Sequence, residues 1–339
     1  MTATPTLAGA GPVQPAVHGG INYLELQQLG VDPSSVVDFS TNVNPVPPAL
    51  NLPELCAGID FSAYPDTNST RLCAAAADHF QVAPDQVLAA NGSAELIHMA
   101  CRAFVRPGET VSIESPTFGE YEVAARIQGA GVTASSDGAA LAFRCNPNNP
   151  TGVYSGALTS TNARMTVVDE AYADFVRGRP TLIRPAMPEN LLVLRSLTKT
   201  AGLAGLRIGL AIGSPRTIER MRAVQPPWNV NALAQAAGER LLCDRPALPD
   251  LDRQEKAIAF LRQGLAEMGL QSNATSCNFF LVGVGEAPRV RLELLKLGLL
   301  VRDCTSFGLP RHIRVAWRTL PDCEKLLAGM RQIGAYHSS

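Results

Sequence analysis

Five short apolar runs each end in a turn crowded with polar or small residues, and this recurrence constrains the fold more than any other feature of the chain. Val87–Ala90 runs into Asn91-Gly92-Ser93. Thr110–Ile113 runs into Glu114-Ser115-Pro116-Thr117-Phe118. Leu141–Cys145 runs into Asn146-Pro147-Asn148-Asn149-Pro150-Thr151-Gly152. Met165–Val168 runs into Asp169-Glu170-Ala171-Tyr172, and Leu191–Leu194 runs towards Lys199. Apolar runs of this length between turn signals are buried strands. Amphipathic helical stretches stand before the first of them, at 70–80, and between the first two, from Ser93 to about Phe104. Strands alternating with helices form a mostly parallel, doubly wound sheet, and such sheets bind ligands outside the carboxyl ends of their strands. Ser93, Phe118, Asn149, Asp169 and Lys199 all lie just past a strand end, so the pattern gathers them at one edge of the sheet.

Lys199 is one of only four lysines. Small residues surround it, and Arg207 stands eight positions on. An amine lifted out of bulk water beside cations loses its proton more easily and can attack a carbonyl. Taken alone, Lys199 also reads as a solvated residue of a Gly-rich turn; the other strand ends tip the balance. The strand, Gly turn and helix around Ser93 point free backbone N–H groups at an anion. Two prolines, three asparagines and a glycine within Asn146–Gly152 exclude regular structure. That loop is held by side-chain hydrogen bonds or shaped for a ligand. Thr41-Asn42-Val43-Asn44-Pro45 leaves the same two alternatives open. Phe118 and Tyr121 either pave a pocket or fill the core.

With 339 residues, 46% of them hydrophobic, the chain has material for a large core and two domains. A net charge of −1 argues against a nucleic-acid partner or an anionic membrane surface. No apolar run reaches membrane-spanning length. The first 17 residues lack a basic segment followed by an apolar core, so they read as a mobile tail rather than a signal peptide. The eight cysteines are scattered, with no Cys-x-x-Cys pair and no neighbouring His, which fits reduced thiols in a cytoplasmic protein and no metal site. Nucleotide-binding Gly motifs are absent. Beyond Gly213 the chain reads as helix to Met221, is broken at 226–231, and is helical again to about Gly269. Strand-like runs at 278–282 and 312–317 then flank a helix near 289–297, a small α+β domain. The expected division is a tail at 1–17, an N-terminal arm at 18–63, a large domain at 64–225 and a small domain at 226–339.

Asn146–Gly152, Asp169-Glu170-Ala171-Tyr172 and Ser196-Leu197-Thr198-Lys199 with Arg207 stand in the order of motifs found in the fold-type I pyridoxal-phosphate (PLP) enzymes, which the chain resembles from about His18 to Leu327. The resemblance implies the PLP-dependent transferase fold. It also implies that Lys199 holds the cofactor's aldehyde and Asp169 its ring nitrogen, while Asn149 and Tyr172 hydrogen-bond O3′. Phe118 stacks on the ring. Ser93, Ala94, Ser196 and Arg207 take the phosphate, and Tyr64 reaches the phosphate of a neighbouring subunit in a homodimer. Lys199, Asp169 and Tyr172 are the expected catalytic groups.

Within that superfamily the chain looks like the histidinol-phosphate aminotransferase branch and, more narrowly, like the threonine-phosphate decarboxylases of cobalamin biosynthesis. His18-Gly19-Gly20, Asp38–Pro45, Tyr64-Pro65-Asp66, Pro227–Asn231 and Ile313–Arg318 carry this. It implies loss of CO2 from L-threonine O-3-phosphate, giving 1-amino-2-propanol O-2-phosphate; the alternative is amino transfer of the histidinol-phosphate type. The substrate's anchors decide which bond at Cα stands perpendicular to the cofactor ring. Arg314 is the expected anion anchor, because a guanidinium grips a carboxylate or phosphate bidentately. Arg318, two pleats on, is a second anchor or a surface charge. His18, Gly19, Asn42 and Asn149 complete the expected substrate set. Segments 129–144 and 150–168 are short for this family, with room for about two helical turns at 158–164. A PLP-binding regulator would need a DNA-binding domain, for which the chain has neither the length nor a basic patch.

Overall fold

The computed structural model describes residues 13–156, 161–244 and 248–334. Its centre is a seven-stranded sheet: β2 (Val87–Ala90), β3 (Thr110–Ile113), β4 (Gly131–Thr133), β5 (Leu141–Cys145), β6 (Thr166–Asp169), β7 (Leu191–Ser196) and β8 (Gly209–Gly213). The spatial order is β2-β8-β7-β6-β5-β3-β4, with β8 antiparallel to both neighbours and every other pairing parallel.

Side chains alternate along each strand, and both faces are apolar. Leu88, Leu192 and Leu194 face a core shared with α4 (Ser93–Phe104), α5 (Glu120–Ile127) and α7 (Pro215–Arg222). Val87, Ala89 and Val193 face the opposite core, shared with α3 (Thr70–Phe80) and α8 (Ala232–Cys243). Each fully buried Leu, Ile or Val contributes about 1.5–3 kcal/mol relative to exposure. A one-residue slip of β7 would exchange its two faces, so the register that carries Lys199 is tightly specified.

A second lobe holds an antiparallel sheet in the order β11 (Arg302–Asp303), β12 (His312–Ala316), β9 (Phe279–Gly283), backed by α9 (Leu251–Glu267), α10 (Ala287–Lys296) and α11 (Leu320–Ile333). The N-terminal arm is woven into this lobe. After α1 (Tyr23–Leu29), β1 (Val37–Asp38) pairs in parallel with β10 (Leu299–Leu300), and Phe39 enters the same core as Trp317. The arm continues through α2 (Leu52–Ala57) to α3. Lys199 sits on α6 (Leu197–Thr200), one helical turn after β7.

Three expectations change. The break at 226–231 is a turn between two helices rather than a domain junction, since α8 beyond it packs on α3 in the large lobe's core; the second lobe begins with α9. The helical stretch to Gly269 is two helices. In the shortened interval before β6, residues 161–165 are bends rather than helix, and 157–160 lie outside the described residues. Of the expected tail, 1–12 also lie outside them, and Val17 lines the cavity described next.

Candidate active site

A cavity of about 300 Å³ opens at the carboxyl ends of the parallel strands, between the two lobes. Reversal of β8 assembles one wall. Because β8 runs antiparallel between β2 and β7, its first residue, Gly209, lies opposite both Ala90 and Ser196. Arg207, just before β8, therefore meets the N-terminus of α4 and the start of α6. The packing leaves no room for side chains there. A Cβ on Gly209 would stand 2.7 Å from the Ser93 nitrogen, and one on Gly92 (φ +88°) would collide with the Arg207 guanidinium. Ser93, Ala94, Ser196 and Arg207 thus line one end of the cavity as backbone N–H groups, hydroxyls and a cation.

Asp169 ends β6 on the cavity floor. Its Oδ2 accepts from Tyr121 Oη (2.8 Å) and its Oδ1 from the Ala171 N–H (3.0 Å). Burial pushes this carboxyl up, and the Tyr121 bond, the Ala171 N–H and the Lys199 charge oppose that. The next residue faces the other way. Glu170 accepts from Thr181 (2.7 Å), the Leu182 N–H (2.8 Å) and buried Arg195 (3.2 Å), so one carboxylate of the pair serves the cavity and the other anchors the loop behind it.

Lys199 keeps part of its surface open to the cavity, yet burial brings its amine down to about 8, with Arg314 and Arg207 adding to the effect and Asp169 opposing it. Phe118 and Cys145 line the cavity between these groups, and burial pushes the Cys145 thiol up to about 12, which keeps it neutral. The two uncertain loops prove to do both things that local sequence allowed. Asn146 and Asn148 brace their loop through Gly156 O, the Ser155 N–H and Pro116 O, and Asn149 faces the cavity. Asn44 ties its loop to the Thr200 carbonyl, while Asn42 lines the cavity and donates to Tyr172 Oη (3.3 Å).

The remaining wall comes from the second lobe and the N-terminal strand. Buried Arg314 donates to the Asn149 Oδ1 and to Ser40 O (2.5 Å). Arg302 donates to Val17 O (2.7 Å) and Ser306 Oγ (2.6 Å). These acceptors are all uncharged. The two arginines are cross-strand partners, and like charges directly opposed are destabilising without an anion between or beside them. Burial, then Arg314, pulls Arg302 down to about 10. Arg302 was missed in the sequence; only the β11–β12 register puts it beside Arg314. His18 and Gly19 line the mouth.

Two expected residues stand elsewhere. Arg318 does not line the cavity; it donates to Thr41 O (2.9 Å), Val43 O (3.2 Å) and Trp317 O (2.8 Å), bracing the Asn42 loop from behind. It is neither substrate anchor nor surface charge. Tyr64 is exposed and stacks on Trp228 (4.4 Å between ring centroids), outside the cavity of its own chain. Among the described residues no His, Cys, Asp and Glu group is arranged to hold a metal, and no helix is long and apolar enough to cross a membrane.

The family model described as aminotransferase class I and II matches residues 34–136 and 132–329. Histidinol-phosphate aminotransferase 1 of Cupriavidus pinatubonensis is 32% identical over 324 residues, covering 85% of this chain and 86% of the relative. Among solved structures, L-threonine-O-3-phosphate decarboxylase from Porphyromonas gingivalis superposes with a TM-score of 0.75 at 23% identity, covering 87% of this chain and 98% of that one. Histidinol-phosphate aminotransferase from Sinorhizobium meliloti, in complex with pyridoxal-5′-phosphate, gives 0.76 at 21% identity, covering 92% and 93%. At those identities the two superpositions speak to the fold.

The cofactor of this family is PLP, and the cavity fits it. The phosphate matches the Ser93–Arg207 end, a protonated ring nitrogen matches the buried Asp169 carboxyl, and the aldehyde matches Lys199. The buried Asn42 Oδ1 and Arg314 Nε have no hydrogen-bond partner, so two directed polar atoms remain for a ligand.

Proposed function

This chain belongs to the class I and II aminotransferase family, and from that premise we propose that it is a PLP-dependent aminotransferase of the histidinol-phosphate type, acting on a small phosphorylated amine. The observation that carries the substrate class is the pair of buried guanidiniums, Arg302 and Arg314, opposed across β11 and β12 and bonded only to neutral acceptors. The similarity to a curated histidinol-phosphate aminotransferase supports the reaction class.

PLP, when bound, supplies an electron sink for the bond that breaks at the substrate's Cα. The chain does the rest. Ser93, Ala94, Ser196 and Arg207 would hold the cofactor's phosphate, Asn149 and Tyr172 would bond to O3′, and Phe118 would pack on the ring. Asp169 keeps a proton on the ring nitrogen. Lys199 holds the aldehyde at rest, then moves a proton at Cα; an amine that titrates near neutrality suits that task. Arg314 and Arg302 fix the substrate's anionic end, and Asn42 and His18 face it. The working unit is a cytoplasmic homodimer in which exposed Tyr64 reaches the partner's cofactor phosphate.

The second reading is decarboxylation of a phosphorylated amino acid such as L-threonine O-3-phosphate. It is favoured by the extended segment through His18 and Gly19, the motif of its sequence resemblance, which lines the cavity beside Arg302 and leaves takers for both a carboxylate and a phosphate. The test incubates the PLP-loaded enzyme with histidinol phosphate plus 2-oxoglutarate, and separately with L-threonine O-3-phosphate, and identifies products by mass spectrometry. Glutamate formation in the first tube is the expected result. Aminopropanol phosphate and CO2 in the second, with no transfer in the first, would replace it with the decarboxylase.

A further inference from the structure

We propose that Glu120 is a positioning residue of the substrate site: together with His98 it fixes the His18 imidazole at the cavity mouth, where His18 meets the substrate's phosphate. The inference rests on the reading of the substrate as a phosphorylated amine.

Glu120 is the first residue of α5, and its carboxylate is nearly buried between two imidazoles. Oε1 meets His18 Nε2 at 2.7 Å, and Oε2 meets His98 Nε2, on α4, at 3.0 Å. A carboxylate offers only acceptors, so both Nε2 atoms carry the hydrogen, and His98 holds the carboxylate against rotation. With its Nε2 engaged, His18 has Nδ1 left, and in the imidazolium form Nδ1 is a second N–H donor for a phosphate oxygen. The His18 ring also lies 5.7 Å from the Phe118 ring, tilted by 50°.

The backbone around His18 is fastened on both sides. Val17 O accepts from Arg302, and the Gly20 N–H donates to Ser40 Oγ (2.7 Å). Gly19 lies so close to Ser40 that an added Cβ would stand 2.5 Å from its carbonyl oxygen. These ties hold the segment to the second lobe, whereas Glu120 and Phe118 belong to the large lobe. Among the described residues, the Glu120 hydrogen bond, beside the Phe118 ring contact, fixes what a backbone tether leaves free, the direction in which the ring points. A surface ion pair would need no such frame, and His18, half exposed by itself, would otherwise sample several rotamers.

The test measures kcat and KM for Glu120→Ala, Glu120→Gln, His18→Ala and the His18→Ala/Glu120→Ala double variant, each with a phosphorylated amine and its unphosphorylated analogue, alongside PLP affinity. Glu120→Ala is expected to raise KM for the phosphorylated amine by about ten- to a hundredfold, the scale of a charge-assisted hydrogen bond, with kcat, PLP affinity and the unphosphorylated KM little changed. Glu120→Gln keeps an accepting oxygen and should fall between wild type and Ala. The double variant should be no worse than His18→Ala, because Glu120 acts through His18. Equal losses for both amines, loss of PLP affinity, or additive effects in the double variant would overturn the proposal; so would an unchanged KM. A wild-type enzyme with no preference for the phosphorylated amine would overturn the substrate reading instead. If Glu120→Ala fails to fold, His18→Ala and Glu120→Gln carry the same comparison.

Discussion

The two walls of the cavity are built in different ways. The large-lobe wall presents Ser93, Asn149, Asp169 and Lys199 from successive strand ends, each a few residues from the apolar run that positions it. The opposite wall presents His18, Asn42, Arg302 and Arg314 from four places between residues 18 and 314, brought together by strand pairing and long-range hydrogen bonds. The first wall follows from local folding rules, and the second depends on closure of the whole chain. Under the proposed function the division also separates cofactor chemistry from substrate choice, so a variant should injure one wall's function and spare the other's.

The largest effect is expected at Lys199. Lys199→Ala removes the amine proposed to hold the cofactor and move the proton, so kcat should fall by about 10⁴-fold or more. Absorbance of the bound cofactor should shift while calorimetry still detects the phosphorylated amine. Loss of substrate binding as well would break the separation between the walls. Arg314→Ala comes next. Truncating a buried guanidinium that meets an anion costs about 2–5 kcal/mol, about 30- to several thousandfold in kcat/KM. The loss should fall on substrate and leave PLP affinity within about threefold, since the cofactor's phosphate is held elsewhere. Equal loss of cofactor and substrate would merge the walls. Arg302→Ala should follow the same direction with a smaller loss, because Arg302 bonds Val17 O and Ser306 Oγ, whereas Arg314 keeps its Nε without a partner and free for the anion.

The contrast also explains what the sequence disclosed. Continuous apolar runs closed by polar or small residues mark the strand ends, and a parallel sheet gathers its strand ends at one edge. Lys199, Asp169 and the Ser93 turn were therefore legible, and so was the α/β fold. Arg302 was not, because a lone arginine in Leu300-Val301-Arg302-Asp303 gains meaning only from pairing with Arg314. Arg318 misled for the converse reason. Its place two pleats beyond Arg314 suggested a shared face, but β12 ends at Ala316 and the chain turns its guanidinium to the Thr41 and Val43 carbonyls. The break at Pro226-Pro227 resembled a domain junction because helix-breaking residues look alike within a domain and between domains. What placed α8 in the large lobe was its apolar face against α3, a tertiary fact.

Tyr121 tests the first wall at finer scale. Its hydroxyl donates to Asp169 Oδ2, so Tyr121→Phe removes one of two hydrogen bonds that keep this buried carboxyl charged. The carboxyl should then rise further, pairing less well with a protonated ring nitrogen, and kcat should drop by about tenfold, the scale of one hydrogen bond to a charged group. Substrate KM should stay put, since Tyr121 touches nothing on the opposite wall. A KM change larger than the kcat change would show that the floor and the anion wall are mechanically coupled.

The smallest effect is a pH dependence, and its sign is fixed by the direction of the Lys199 shift. Its ordinary value of 10.5 is brought down to about 8, chiefly by burial and then by Arg314 and Arg207. Between those two values the unfolded chain binds more protons at this site than the folded chain. Its contribution to stability therefore rises with pH across that window, and the penalty is fully present below about 8. The same depression sets the reactivity of the amine. In the cofactor-free protein, labelling of Lys199 by an amine-directed reagent, read by mass spectrometry, should rise only about 1.8-fold from pH 8 to pH 9, while Nα-acetyl-lysine in the same tube rises nearly tenfold. Arg314→Ala removes one of the two named cations, so the Lys199 curve should move to higher pH and steepen over that interval, although the substitution lies on the other wall. If the curve does not move, burial and the groups of the large-lobe wall set the amine, and the two walls are electrostatically as well as chemically independent.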